Sequence, residues 1–349
     1  MNGSSRKDGF VPTYLLERWS EEGSREAAET LDERRVLREE IDSFARSGAG
    51  PERDRDDDGR AERMIFDCRN VPKIRNNLVR GEGQPPTHDE DVNAAYDNAG
   101  HTLGYFKHVL GRNSVDDRGH DLRFYVNYGR HYGNAEWIPE TKIMIFGDAD
   151  GRQLTGFVKS LEVVAHELTH GITQHVNGLR YTFQSGALDE HFSDAIGSAV
   201  KQRAKGQTAE TADWLIGDEI VGPEFKGVAL RSLKAPGTAM EDDPQPSHMD
   251  GFKDTGKLDN RGVHINCGIP NKAFYLTALE IGTDSAAVLW YTAWKDKTIM
   301  KPDAAFSDAF ESILKAAGLL TNQGKLPEIA VKAVKESFRA VGVYSLASV

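Results

Sequence analysis

Val163-Val164-Ala165-His166-Glu167-Leu168-Thr169-His170-Gly171 decides how the rest of this chain is read. An α-helix turns about 100° per residue, so residues four apart lie about 40° around and one turn up. His166 and His170 therefore project from one face, near enough to share a metal ion. Glu167 stands about 60° round from His170, beside that ion and not on it. Two helical histidines around such a glutamate are a zinc-binding pattern, with the glutamate as general base. A catalytic tetrahedral site needs three protein ligands and one open position for water. Glu190, in Asp189-Glu190-His191-Phe192-Ser193-Asp194, can supply the third ligand from a second helical segment. Asp194 lies one turn beyond Glu190 on the same face, suited to hydrogen-bond a ligand histidine. The related pattern with a third histidine fails, because Thr173 and Val176 hold the positions where glycine and histidine would be needed. His175 reads as a surface or packing residue.

The same stretch, together with Ser185-Gly186-Ala187-Leu188-Asp189-Glu190, resembles the thermolysin-like family of zinc endopeptidases. A third block agrees, Asp259-Asn260-Arg261-Gly262-Val263-His264-Ile265-Asn266-Cys267-Gly268-Ile269-Pro270-Asn271-Lys272. A fourth, Asn134-Ala135-Glu136-Trp137, is similar to the edge strand along which these enzymes align substrate. The resemblance runs in order from about Ile65 to the C-terminus. It implies an α+β, two-domain zincin, with a β-rich N-terminal domain and a mainly helical C-terminal domain joined by the zinc-binding helix. It also implies one catalytic zinc ion at His166, His170 and Glu190, and protein or peptide substrates.

Carried over residue by residue, the resemblance assigns further roles. Glu167 would take the water proton and later deliver it to the leaving amine. His264 and Tyr181 would donate hydrogen bonds to the developing oxyanion, with Asp259 orienting His264. Arg231 would bind a substrate carbonyl. Asn134 and the Ala135 backbone, next to Trp137, would hold the peptide extended by strand addition. Leu154, Phe157, Val163, Ile216 and Leu230 match positions lining the primary specificity pocket. All five are apolar, which implies cleavage N-terminal to bulky hydrophobic residues. A calcium-binding carboxylate cluster in the family matches Glu162, Lys201, Asp213, Asp218 and Glu219 here. Lys201 stands where a carboxylate is expected, and an ammonium can neutralise its acidic neighbours without metal. The double calcium site is therefore expected to be lost, with calcium elsewhere left open.

Composition bounds the other classes. A chain of 349 residues exceeds the size at which one core usually keeps growing, which favours two domains. A net charge of −11 argues against nucleic acid or an anionic membrane as partner. No run of about 18 apolar residues occurs, so no membrane-spanning helix is expected. Met1 to Phe10 is polar and lacks a secretory signal's apolar core. The chain has two cysteines, Cys68 and Cys267, which read as free thiols of a reducing compartment. Cytoplasmic synthesis, with export by a leaderless route left open, is the expectation.

Along the chain, residues 12–47 read as helical, with Leu15, Leu16, Trp19, Ala27, Leu31, Val36, Leu37, Ile41 and Phe44 spaced among dense charge. Ser47-Gly48-Ala49-Gly50-Pro51 and a charged run to Arg63 read as an exposed linker. Asp54, Asp56, Asp58 and Gly59 imitate the start of an EF-hand loop, but Ile65 holds the position of its glutamate. Further helices are expected over about Asp89 to Leu110, Phe157 to Asn177, Ala187 to Lys205, and beyond Pro270, with Pro302 opening one. Strands are expected at Asp121 to Tyr128 and Lys142 to Phe146. Val11-Pro12-Thr13-Tyr14-Leu15-Leu16 resembles the short pro-segment of protealysin-like members of the family, with Thr13 in place of a second proline. The expected division is a pro-segment at 1–50, a linker and processing region at 51–63, an N-terminal catalytic domain at 64–178 and a C-terminal one at 179–349. A self-processing zymogen inhibited by its own pro-segment follows. The competing reading is a catalytically silent, zinc-stabilised binding protein, against which Glu167 and His264 argue, since neither is needed for folding or metal binding.

Overall fold

The computed structural model describes residues 8–46 and 59–344. The linker, the EF-hand-like run at 54–58 and most of the expected processing region lie outside the described residues. Two compact units are present. Among the described residues, the first runs from Asp8 to Ile172 and takes in Glu219–Phe225. The second comprises Thr173–Asp218 and residues 226–344. The division falls inside a helix, between Ile172 and Thr173, ahead of the boundary expected at 178.

The first unit is built on a five-stranded sheet. Its strands are β1 (Arg63–Val71), β2 (Leu78–Arg80), β3 (Leu122–Tyr128), β4 (Ala135–Ile138) and β5 (Ile143–Phe146), in the order β2-β1-β3-β5-β4. β3 runs parallel to β1 and β5, while β2 and β4 pair antiparallel at the two edges. Phe124, Tyr125 and Val126 in β3 and all of β5 are buried, as expected of central strands covered on both sides. β4 keeps one side unpaired by the sheet.

Among the described residues, two helices precede β1: α1 (Thr13–Glu21) and α2 (Arg25–Arg46). The continuous helix expected over 12–47 is broken at residues 22–24, where Ser24 Oγ accepts the Ala27 amide at 3.2 Å and starts α2 afresh. Leu37 and Ile41 of α2 pack, with Phe44 alongside, into the core formed by Phe66, Tyr125, Tyr128, Ile138, Ile143 and Ile145. The N-terminal segment is thus part of the first unit's core and not an appendage. Leu37 is fully buried, so Leu37→Ala should lower stability by about 2–5 kcal/mol, read by denaturant unfolding of the full-length chain. A loss below about 0.5 kcal/mol would show that α2 is not packed as described.

α3 (Glu90–His108) begins at Asp89, whose carboxylate accepts the Asp91 and Val92 amides at 2.8 and 3.2 Å. α4 (Leu161–Val176) carries the paired histidines. It packs closely because residue 171 is glycine: a Cβ there would lie 3.0 Å from Val115 Cγ1 and 3.1 Å from Trp137 Cζ2. α4 starts later than the expected Phe157, because residues 157–159 form a separate tight turn.

Among the described residues the second unit is mainly helical, with a long irregular stretch between residues 205 and 258 that carries a short ladder of β6 (Leu215–Ile216) and β7 (Arg231–Ser232). Its helices are α5 (Phe183–Ala204), α6 (Asp259–Asn266), α7 (Gly268–Ile281), α8 (Thr283–Trp294), α9 (Phe306–Asn322) and α10 (Ala330–Ala340). Phe192 stacks on Trp294 at 4.4 Å, and Trp290, Phe274 and Phe338 continue this aromatic core. Pro302 does not open a helix. α9 starts at Phe306, where the Asp308 carboxylate accepts the Ala305 amide at 2.8 Å.

Candidate active site

In the first unit, α4 presents His166 and His170 one turn apart, with ring centroids 4.8 Å from each other and both residues buried. Glu167 is buried beside them, and its Oε2 accepts the Trp137 amide of β4 at 2.7 Å. That bond ties the glutamate to the edge strand. Leu154, Phe157 and Val163 are fully buried in this unit. The N-terminal segment lies along β4. Phe10 N donates to Ala135 O at 2.9 Å, Val11 N donates to Asn134 Oδ1 at 2.9 Å, and Asn134 Nδ2 donates to Val11 O at 3.0 Å. The Phe10 ring is fully buried, edge-on to His166 at 5.0 Å and to Phe157 at 6.5 Å.

The same segment carries buried charge. Arg34 of α2 pairs with Asp8 at 3.0 Å and with Glu136 of β4 at 3.3 Å, and bonds the Thr13 hydroxyl. The Tyr132 hydroxyl donates to Glu136. One turn earlier, Thr30 Oγ1 accepts the Gly133 amide at 2.8 Å, and burial together with Asp150 pushes Glu26 up to about 9.

In the second unit, α5 places Glu190 and Asp194 one turn apart, both fully buried. The Tyr181 hydroxyl donates to Glu190 Oε1 at 2.5 Å and lies 3.3 Å from His264 Nε2. His264 Nε2 is 3.4 Å from Glu190 Oε2, and its Nδ1 is 2.6 Å from Asp259 Oδ1. Asp259 Oδ2 also accepts the His264 and Ile265 amides at 2.8 and 3.1 Å. This geometry comes from an unusual turn: Asp259, Asn260, Arg261 and Gly262 all have positive φ, between 47° and 86°. L-residues pay about 1–2 kcal/mol each there, offset here by the carboxylate bonds they align. Burial opposes a charged His264, but Glu190 and Asp259 outweigh it and raise its pKa to about 9.

Arg231 grips Asp194 with two bonds of 3.0 Å, and Asn271 Nδ2 donates to Asp194 Oδ2 at 2.9 Å. Asn271 is turned this way by its neighbours. Trp290 Nε1 can only donate, and does so to His191 Nε2 at 2.7 Å, leaving His191 Nδ1 to donate to Asn271 Oδ1 at 2.8 Å. Burial lowers His191 to about 4, so the ring stays neutral. Ile216 and Leu230 are buried and linked by the Leu230 amide on Ile216 O at 3.0 Å.

A family model for the thermolysin metallopeptidase catalytic domain matches residues 67–174, and one for the alpha-helical domain of the same enzymes matches residues 177–343. The chain belongs to the thermolysin metallopeptidase family. An extracellular metalloprotease of Pectobacterium carotovorum subsp. carotovorum is 47% identical over 249 residues, 69% of this chain and 71% of that one. Protease PrtS of Photorhabdus sp. (strain Az29) is 37% identical over 350 residues, 96% of this chain and 92% of that one. The solved precursor of protealysin, a metalloproteinase from Serratia proteamaculans, superposes with a TM-score of 0.83 at 36% identity, covering 97% of this chain and all of that one.

This member of the thermolysin family is therefore a metalloprotease, with the two-domain fold of that family. The family is zinc-dependent, and His166, His170 and Glu190 form the candidate metal site, two imidazoles and a carboxylate being a donor set that suits zinc. The silent-binding reading is not favoured. The expectation of cytoplasmic synthesis, with leaderless export left open, is overturned, because relatives are named extracellular metalloproteases. Cys68 and Cys267 are free and buried, a state that does not depend on a reducing compartment. Among the described residues no helix is long and apolar enough to cross a membrane. Sequence reasoning missed Arg34, Glu136 and the His191–Asn271 pair, although Glu136 and Asn271 stand inside the quoted motifs.

Proposed function

We propose that this metalloprotease is a zinc endopeptidase made as a latent precursor, in which residues 8–46 act as the inhibitor and are released by self-processing. One observation carries the reading: the Phe10–Val11 peptide is bonded along β4 beside His166 and Glu167, on the Asn134 and Ala135 groups assigned to substrate. A segment seated there denies those groups to any other peptide. Removing it returns the strand edge to substrates.

His166, His170 and Glu190 hold the zinc in this reading, and the bound ion supplies an acidified water and a polarised carbonyl. Glu167 takes the water proton at its carboxylate and passes it to the departing amine. The Trp137 amide keeps that carboxylate pointed. Tyr181 and His264 donate to the oxyanion, and Asp259 holds the His264 ring through Nδ1. Arg231, fixed by Asp194, receives a substrate carbonyl, so Asp194 serves the site through Arg231. Leu154, Phe157, Val163, Ile216 and Leu230 supply an apolar pocket, and cleavage falls N-terminal to bulky hydrophobic residues. An extracellular place of action is proposed with this reading, supported by relatives that are named extracellular metalloproteases.

The test follows the purified full-length chain by intact mass while it is incubated with a peptide library. Loss of the N-terminal segment in step with the appearance of hydrolysis, with cuts before Leu, Phe or Ile, is expected. A chain that stays full length while fully active would end the latent-precursor reading.

Calcium is proposed to be dispensable at the cluster around Lys201. Its ammonium is buried and lies 2.5 Å from Asp218, 3.4 Å from Asp213 and 3.1 Å from Leu215 O, so the cation there is part of the chain. Micromolar calcium should shift the thermal unfolding midpoint by less than about 2 °C. A large saturable shift would overturn this.

A further inference from the structure

Among the described residues, the Glu136 carboxylate has two partners, the Tyr132 hydroxyl and the Arg34 guanidinium. Tyr132 belongs to the catalytic part of the first unit and stays with it. Arg34 belongs to the segment proposed to leave. Arg34 itself divides its charge between Glu136 and Asp8, a residue of that same segment. Release of the segment therefore withdraws the one cation that faces Glu136 among the described residues, and uncovers a residue that is 7% exposed in the precursor. A desolvated carboxylate that loses its cation is costly to leave unpaired, so the position favours a new cation.

Its location says where that cation would come from. Glu136 is flanked in β4 by Ala135, whose carbonyl takes the Phe10 amide, and by Trp137, whose amide is bonded to Glu167. Residue 9 of the bound segment passes directly over it. A Cβ built on Gly9 would lie 2.6 Å from Glu136 Cγ and 2.6 Å from Ala135 O. The precursor comes this close because residue 9 has no side chain. A peptide with a side chain at that place must stand further from the strand, and the side chain then extends towards the Glu136 carboxylate.

We propose that Glu136 is a specificity-determining residue, an anionic subsite that selects Lys or Arg at the substrate residue immediately preceding the one bonded to Ala135 O, with Arg34 filling that role in the precursor. This rests on the reading of β4 as the substrate strand.

Paired fluorogenic peptides, identical but for Arg, Gln or Glu at that residue, test it on the processed enzyme. The ratio of kcat/KM for Arg over Gln should be about tenfold, and Glu should be worse than Gln by a similar factor. The Arg preference should shrink as salt is raised from 0.05 to about 0.5 M. Glu136→Gln should bring the Arg-to-Gln ratio close to one, and Glu136→Lys should invert the order in favour of the Glu peptide. The wild-type series and its salt dependence stand without the variants, should either fail to fold. Equal rates for the Arg and Gln peptides on the wild-type enzyme, or a ratio unchanged in Glu136→Gln, would overturn the proposal. Failure to cut any of the three peptides would instead count against the peptidase reading beneath it.

Discussion

Replacing Glu167 by alanine should lower peptide hydrolysis by about 10²- to 10⁴-fold while the chain still folds and binds zinc. Glu167 lies on the same turn as the paired histidines but is not placed as a ligand, and its Oε2 is held by the Trp137 amide at 2.7 Å. Its removal takes away a base and one hydrogen bond, not a metal ligand. Glu167→Gln separates these two losses, because glutamine keeps an acceptor for the Trp137 amide and lacks the basicity. If the two variants are equally inactive, proton transfer accounts for the loss. If Gln retains most of the activity, Glu167 is only a strut for β4. Zinc content measured on the same samples decides the remaining case, since an inactive variant that has also lost its metal would mean that Glu167 supports the site and does not act as base.

Raising the pH from about 5 towards 9 should progressively loosen the N-terminal segment. Glu26 sits in α2 with its pKa raised to about 9, first by burial and then by Asp150. Below its ordinary value of 4.5 the acid is protonated whether α2 is docked or not, and pH has no leverage. Above that, the undocked carboxyl ionises while the docked one keeps its proton. Undocking then releases a proton, and the docking equilibrium weakens by up to about tenfold per pH unit until the docked group itself ionises near 9. Glu33, raised mainly by burial, acts in the same direction. Glu29, lowered by its hydrogen bond from His131, and Asp150, lowered despite its burial, act only below their ordinary values of 4.5 and 3.8, outside this window. Amide exchange at Leu37 and Ile41, compared between the wild type and Glu26→Gln, reads the effect free of the intrinsic pH dependence of exchange. Protection in the wild type should fall relative to the variant across the window. Parallel curves would refute the assignment to Glu26.

What was legible in the chain was whatever repeats at helical spacing. His166, Glu167 and His170, and separately Glu190 and Asp194, were legible because relations within each set are fixed within a turn or two of helix; joining the two sets needs tertiary information, which only the family resemblance supplied. β1 and β2 were not foreseen. β1 alternates poorly between apolar and polar residues, being buried at Ile65, Phe66 and Cys68 only, so a period of two is not visible in it. The break between α1 and α2 was hidden by a hydrophobic pattern that continues across it. The left-handed turn at Asp259–Gly262 had no local signal beyond its one glycine, since what holds it is the set of bonds Asp259 makes to His264 and Ile265. Least legible was Arg34 against Glu136. The pair is separated by about a hundred residues of chain; Arg34 sits in a run of charge that reads as solvated surface, while Glu136 stands between Ala135 and Trp137, where nothing local names its partner.

The unpaired side of β4 has a consequence outside chemistry. A strand edge with open amides and carbonyls pairs with any extended chain, including another copy of itself, and such edges seed aggregation. The Phe10–Val11 peptide covers this edge, and α2 shields the apolar sheet face beneath Leu37 and Ile41. The segment proposed to withhold activity is therefore also a solubility device. Protein expressed without it should be lost to insoluble material before any question of turnover arises, and supplying the segment on a separate chain should recover soluble enzyme.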